Sequence, residues 1–181
     1  MMRTLAVISR KGGVGKTTLS VNLAVAAYHA GLKTVVADLD SQRSAMAWAK
    51  ARTQPGPAVL ETTAGKLFPL WSAAGNSGCE LMVLDTPASA EAETLQALRL
   101  ADLCLLVSRP NYFDVSALAR SIELLRQFDK PGLIVLNQAP SRRIRRARTR
   151  RRLDPGARTP GAHARWRSRA WDASRRSDDP E

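Results

Sequence analysis

Short apolar runs alternate along this chain with segments in which apolar side chains return every three or four positions. Thr4–Ser9 (TLAVIS), Thr34–Asp38 (TVVAD), Leu81–Asp85 (LMVLD), Leu103–Ser108 (LCLLVS) and Gly132–Asn137 (GLIVLN) are runs of the first kind and predict strands. Ala58–Glu61, after a Pro-Gly-Pro break, predicts a further one. Leu19–Ala30 carries apolar residues at 19, 23, 26, 27 and 30 and is followed by Gly31, so a helix is expected there with a glycine stop. Ser44–Arg52, Ala90–Leu100 and the segment holding Val115, Leu118, Ala119, Ile122 and Leu125 predict three more helices. Strands apolar on both faces, with helices between them, imply an α/β fold: a mostly parallel sheet covered by helices on both faces. Ligands in such sheets sit at the carboxyl ends of the strands.

Composition refines this picture at one place. The 181 residues suit one compact domain, and 44% of them are hydrophobic, enough for a buried core. Cys79 and Cys104 are too few for a disulfide scaffold, and they fall at or in predicted strands, as core residues do. His29 and His163 are the only histidines, which argues against a zinc site or a Ser/His/Asp triad. No apolar run reaches the roughly 20 residues of a membrane span, and MMRTLAVISRKGG lacks a secretory cleavage site. A soluble, cytoplasmic protein with no membrane partner is expected. The net charge of +12 is unevenly placed: residues 1–140 hold 14 Lys/Arg and 11 Asp/Glu, residues 141–181 hold 14 Arg, no Lys and 5 acidic residues. Two regions follow, an α/β domain over 1–140 and an Arg-rich segment over 141–181.

The chemistry concentrates after the first strand. Lys11-Gly12-Gly13-Val14-Gly15-Lys16-Thr17-Thr18 lies between a strand and a helix. Glycines there let backbone N–H groups turn inward on phosphate oxygens, and the helix N-terminus adds positive potential. Lys16 would reach the β- and γ-phosphates, and the Thr17 hydroxyl would bind Mg²⁺. The general P-loop pattern has a glycine where this chain has Arg10.

Lys11 followed by GGVGKTT resembles the deviant Walker A loop of the ParA/MinD family of partition and positioning ATPases, in its small form without an N-terminal helix-turn-helix. The resemblance runs from Arg3 to about Arg143 and includes LADLCLLVSRPNYFDVSAL. It implies a P-loop NTPase fold, with ATP and Mg²⁺ as cofactors and ATP closing a sandwich homodimer in which Lys11 touches the partner's nucleotide. Gly12, Gly13, Val14, Gly15, Lys16, Thr17 and Thr18 would bind the nucleotide. Asp38-Leu39-Asp40-Ser41-Gln42 is similar to the family's D-x-D-P-Q switch, with serine in place of proline. Asp40 would orient the attacking water and Asp38 would help hold the Mg²⁺ water shell; losing the proline makes the loop less rigid. Asp85-Thr86-Pro87-Ala88 resembles the Walker B segment, so Asp85 would bind Mg²⁺ through water. Asn137 matches the asparagine that hydrogen-bonds adenine in relatives, with a turn-forming Asn as the alternative. The family implies a bacterial DNA-segregation switch with slow hydrolysis, a ParB-like centromere-binding partner and non-specific binding to nucleoid DNA.

The Arg-rich segment does not continue that pattern. Relatives go on with further helix and strand, whereas Ile144, Leu153, Trp166 and Trp171 are the only large apolar residues after Ser141. Arg, Ala, Gly, Pro and Trp without lysine is what a GC-rich gene yields out of frame, so a frameshift near 141–147, leaving a truncated domain with a disordered tail, is one expectation. The other is an evolved arm that binds nucleic acid by counterion release. An exposed sheet edge, prone to aggregation, would follow from truncation. Three other functions stay open: a nucleic-acid binder indifferent to ATP, an inactive remnant, and an ATPase switch whose cargo is a protein assembly.

Overall fold

The computed structural model describes residues 1–88 and 91–139. The expectations for residues 141–181 lie outside them. Among the described residues six strands alternate with five helices: β1 (Arg3–Ile8), α1 (Lys16–His29), β2 (Thr34–Asp38), α2 (Ser44–Ala51), β3 (Ala58–Glu61), α3 (Ala64–Asn76), β4 (Leu81–Asp85), α4 (Glu91–Leu100), β5 (Leu103–Ser108), α5 (Tyr112–Gln127) and β6 (Gly132–Leu136). The strands form one sheet in the order β3-β2-β4-β1-β5-β6, every pairing parallel. This is the expected α/β fold.

Alternation along the strands sorts their side chains onto two faces. Ala6 and Ile8, Val35 and Ala37, Met82 and Leu84, Cys104 and Leu106 meet α3, α4 and α5 through Leu67, Leu98, Leu118 and Leu125. Val7, Val36, Val83, Leu105 and Val107 meet α1 and α2 through Val21, Ala24 and Ala45. Both faces are thus dry, and that is why these strands read as unbroken apolar runs. Cys104 lies inside the sheet, where burial pushes its thiol up to about 12, so it behaves as a core residue. β6 is an edge strand whose Leu133, Ile134 and Leu136 are exposed among the described residues.

α3 was not expected. Gly65, Pro69 and Gly75 interrupt its sequence, yet Leu67, Leu70, Trp71 and Ala74 keep the i, i+3, i+4, i+7 spacing and pack against the sheet. Pro69 is tolerated because it is exposed, so the carbonyl it leaves without a donor lies on the solvent side. Leu67 is fully buried under this helix. Leu67→Ala should destabilise the protein by about 2–5 kcal/mol, through lost transfer energy and a cavity. Urea unfolding measures it; a loss under about 1 kcal/mol would mean α3 is not docked as described.

Candidate functional site

The carboxyl ends of the central strands carry the predicted chemistry. Asp38 and Asp85 are register partners at the ends of β2 and β4, and Asp85 is also level with Val7 of β1. The loop from Ser9 to Gly15 leaves β1 beside them and enters α1. Gly13 and Gly15 take φ of +70° and +93°, a left-handed backbone that side chains disfavour, and Gly15 caps α1. No side chain caps that helix, so its first N–H groups face the loop free to meet an anion.

The two lysines of the loop have opposite environments. Lys16 is only 7% exposed, and its Nζ donates to the Lys11 carbonyl at 3.5 Å. Burial lowers its pKa, while Asp85 and Asp40 pull it back up. Lys11 is exposed. One lysine serves its own loop; the other is available outside it.

Asp85 is completely buried. Its Oδ1 accepts from Ser20 Oγ at 3.0 Å, and its Oδ2 has no hydrogen-bond partner. Burial pushes its pKa to about 6 and the neighbouring Asp38 adds to the rise, against the pull of the Thr17 and Ser20 hydroxyls. An orphaned, desolvated carboxylate oxygen next to a threonine hydroxyl fits a hard divalent cation. Among the described residues no group of three or more His, Cys, Asp or Glu could hold a metal unaided. That suits Mg²⁺, which takes one or two protein ligands and completes its shell with phosphate and water. Ser20 was missed in the sequence, although it stands one helical turn beyond Lys16 on the same face of α1.

Asp38 is used differently. Its Oδ1 accepts from the Asp40 N–H at 3.1 Å and its Oδ2 from the Met46 N–H at 3.0 Å, so it ties the segment after β2 to the start of α2. Asp40 Oδ1 accepts from the Gln42 N–H at 3.0 Å, and the Asp40 carbonyl from the Arg43 N–H at 2.8 Å. These turn hydrogen bonds supply the restraint that a proline at position 41 would give. Asp40 itself lines a cleft of about 870 Å³ together with the Gly12–Thr18 loop, Pro87 and Ala88. Trp48 of α2 and Glu93 of α4 also line it, and neither was singled out in the sequence.

Asn137 lies one residue beyond β6. Its Nδ2 donates to the Val14 carbonyl at 2.8 Å, and Gln138 Nε2 donates to the Gly13 carbonyl at 3.2 Å. The structure therefore gathers Lys16, Thr17, Asp38, Asp40, Asp85 and Asn137 around one loop.

A doubly wound parallel sheet with a glycine loop between β1 and α1, a buried lysine in that loop and an orphaned aspartate on the adjacent strand defines a P-loop nucleotide-binding domain. The chain belongs to the CobQ/CobB/MinD/ParA nucleotide binding domain family, whose profile matches residues 5–159 and so runs past the change of composition at Ser141. It is 36% identical over 122 residues to the maintenance of carboxysome distribution protein A of Gloeobacter kilaueensis, covering 66% of this chain and 55% of that protein. It is 29% identical over 128 residues to protein ParA of Rhizobium radiobacter, covering 70% and 57%. The chain thus spans little more than half the length of these relatives. Among solved structures, the MinD cell division protein of Aquifex aeolicus superposes with a TM-score of 0.64 at 23% identity, over 76% of this chain and 70% of that one. Cobyrinic acid a,c-diamide synthase from Mycobacterium smegmatis, with bound ATP analogue and magnesium, gives 0.59 at 21% identity, over 74% and 75%. Among the described residues, no helix is long and apolar enough to cross a membrane.

Proposed function

We propose that this chain binds ATP with Mg²⁺ and works as a slowly hydrolysing, dimerising switch that places a plasmid or chromosome in a bacterial cell. The observation that carries the reading is the division of labour between the loop lysines: Lys16 buried beside Asp85 and Asp40, Lys11 exposed. Lys16 and the N–H groups of Gly13–Thr18 hold the triphosphate. Thr17 and Asp85 hold the cation, which neutralises phosphate charge when bound. Asp38 keeps the Asp40 turn in place, and Asp40 orients water toward the γ-phosphate. Lys11 reaches the nucleotide of a second copy, so pairing depends on ATP. The likeness to protein ParA supports the switch; its cargo is DNA, and a ParB-like partner stimulates turnover. The Arg-rich 141–181 segment supplies charge for non-specific DNA, by counterion release. A protein assembly as cargo is the second reading, favoured by the likeness to the carboxysome distribution protein.

Light scattering with ATP, with ADP and without nucleotide tests this. The wild-type chain should pair only with ATP. Lys11→Ala should keep its nucleotide affinity within a factor of about two, as exposed substitutions do, and stay monomeric. A wild type that never pairs, or a Lys11→Ala variant that pairs normally, overturns the switch.

A further inference from the structure

Asn137 was expected to read a base and Gln138 had no assigned role, yet both side chains bond to the phosphate loop. β6 is not a neighbour of β1; β5 lies between them. Asn137 keeps the β5–β6 ladder, its N–H donating to the Ser108 carbonyl at 2.8 Å, and its side chain crosses the end of β5 to the Val14 carbonyl. Gln138 then takes a left-handed backbone with φ of +57°. In an extended strand two successive side chains point to opposite faces. The left-handed turn instead brings both amides onto consecutive loop carbonyls, those of Gly13 and Val14. Only the amino end of a carboxamide can donate to a carbonyl, so the acceptors fix how both amides point. Gly15 makes room for the arrangement: a Cβ there would lie 2.2 Å from Asn137 Nδ2.

We propose that Asn137 and Gln138 form a latch that holds the phosphate loop in its ligand-ready shape, so that Asn137 acts on the triphosphate through that backbone, whatever its remaining N–H and Oδ1 do at a base. A trans peptide is planar, with C=O and N–H antiparallel. Pinning the carbonyls of Gly13 and Val14 therefore aims the N–H groups of Val14 and Gly15 directly away from the latch. Those are donors that the loop must present together to bind phosphate. The latch thereby makes the segment that ends β6 a positioning element for the opposite end of the chain. It rests on the reading of the Gly12–Thr18 loop as a phosphate site.

The test compares ligands with and without a base. Wild type, Asn137→Ala and Gln138→Ala are titrated calorimetrically with ATP, GTP and tripolyphosphate, all with Mg²⁺, after circular dichroism has checked folding. With a latch, Asn137→Ala weakens all three ligands, tripolyphosphate included, by about tenfold for one lost hydrogen bond to a poorly hydrated carbonyl. Gln138→Ala, with its longer bond and more exposed site, shows a smaller loss that is equal for all three. If Asn137→Ala weakens ATP alone, spares tripolyphosphate and narrows the ATP-to-GTP ratio, Asn137 reads the base and the latch is overturned. Should Asn137→Ala fail to fold, Gln138→Ala decides: equal losses support the latch, none overturns it. A wild type that binds neither ATP nor tripolyphosphate overturns the phosphate-site reading itself, a result distinct from the other outcomes.

Discussion

Replacing Lys16 by alanine should lower the affinity for Mg-ATP by about a hundredfold and leave the protein folded. The ammonium is nearly enclosed, and among the described residues its one hydrogen bond is long, 3.5 Å to the Lys11 carbonyl. Its other two donors are available for phosphate oxygens. Burial lowers its pKa, and Asp85 and Asp40 pull it back up. A charged hydrogen bond in a water-poor site contributes about 1.5–3 kcal/mol, and the attraction of a polyanion adds to it, so a loss near 2.7 kcal/mol, or about a hundredfold, is the expected scale. Calorimetry with Mg-ATP gives the answer, beside circular dichroism of both proteins. A loss of only a few-fold would show that the loop amides carry the phosphate and that Lys16 serves the fold.

Asp85→Asn should separate stability from ligand binding. The carboxyl titrates near 6 in the folded protein and has an ordinary value of 3.8. A folded pKa raised in this way means that ionisation is harder in the native state. This group's contribution is at its best below about pH 4 and is lost as pH rises toward 6, by on the order of 3 kcal/mol in total. Asparagine keeps an oxygen for the Ser20 hydroxyl and carries no charge. Its amino group inherits the orphan position of Oδ2 and costs about 1–3 kcal/mol there at every pH. The sign that survives both effects is the pH dependence: relative to wild type, the nucleotide-free variant should gain stability between pH 4.5 and 7.5. Magnesium should then add nothing to the protection that ATP gives the variant. Melting curves at the two pH values, with and without Mg-ATP, measure both halves. A variant that tracks wild type across the range, or that Mg-ATP protects as well as wild type, would place the ionised metal ligand elsewhere.

How much of this could be read in the residues depended on whether a neighbour had to be known. Thr34–Asp38, Leu81–Asp85 and Leu103–Ser108 were legible to their ends, since burial between two helical layers leaves an apolar run bounded by turn residues; Ala58–Glu61, an edge strand with little burial, was legible from the Pro-Gly-Pro break before it. The first helix begins at Lys16, three residues earlier than its apolar spacing suggests, because the loop lysine and threonines are themselves its first turn. α3 was hidden by Pro69 and its two glycines, although the spacing of Leu67, Leu70, Trp71 and Ala74 was present. The loop chemistry was legible because its residues are contiguous. The engagement of Asn137 and Gln138 with the loop was not, as each bond joins positions far apart in the chain, and that of Asp38 with the α2 backbone was not because it depends on how the turn between them folds.

The place of β1 in the sheet has a consequence for how the molecule comes into being. Its partners are β4 and β5, with Arg3 beside Leu81 and Leu5 beside Leu103. The strand that launches the phosphate loop therefore has no partner until the chain has been made through Asp85, and is paired on both sides only once it has been made through Ser108. At ordinary rates of synthesis that interval is roughly 5–20 s, with the apolar TLAVI stretch waiting in water. Long-range parallel pairing of this kind also closes slowly. Nucleotide cannot assist until the last of these strands arrives. Assembly of the site is then a late, all-or-none event, and β1 is a segment that a chaperone would have to shield in the meantime.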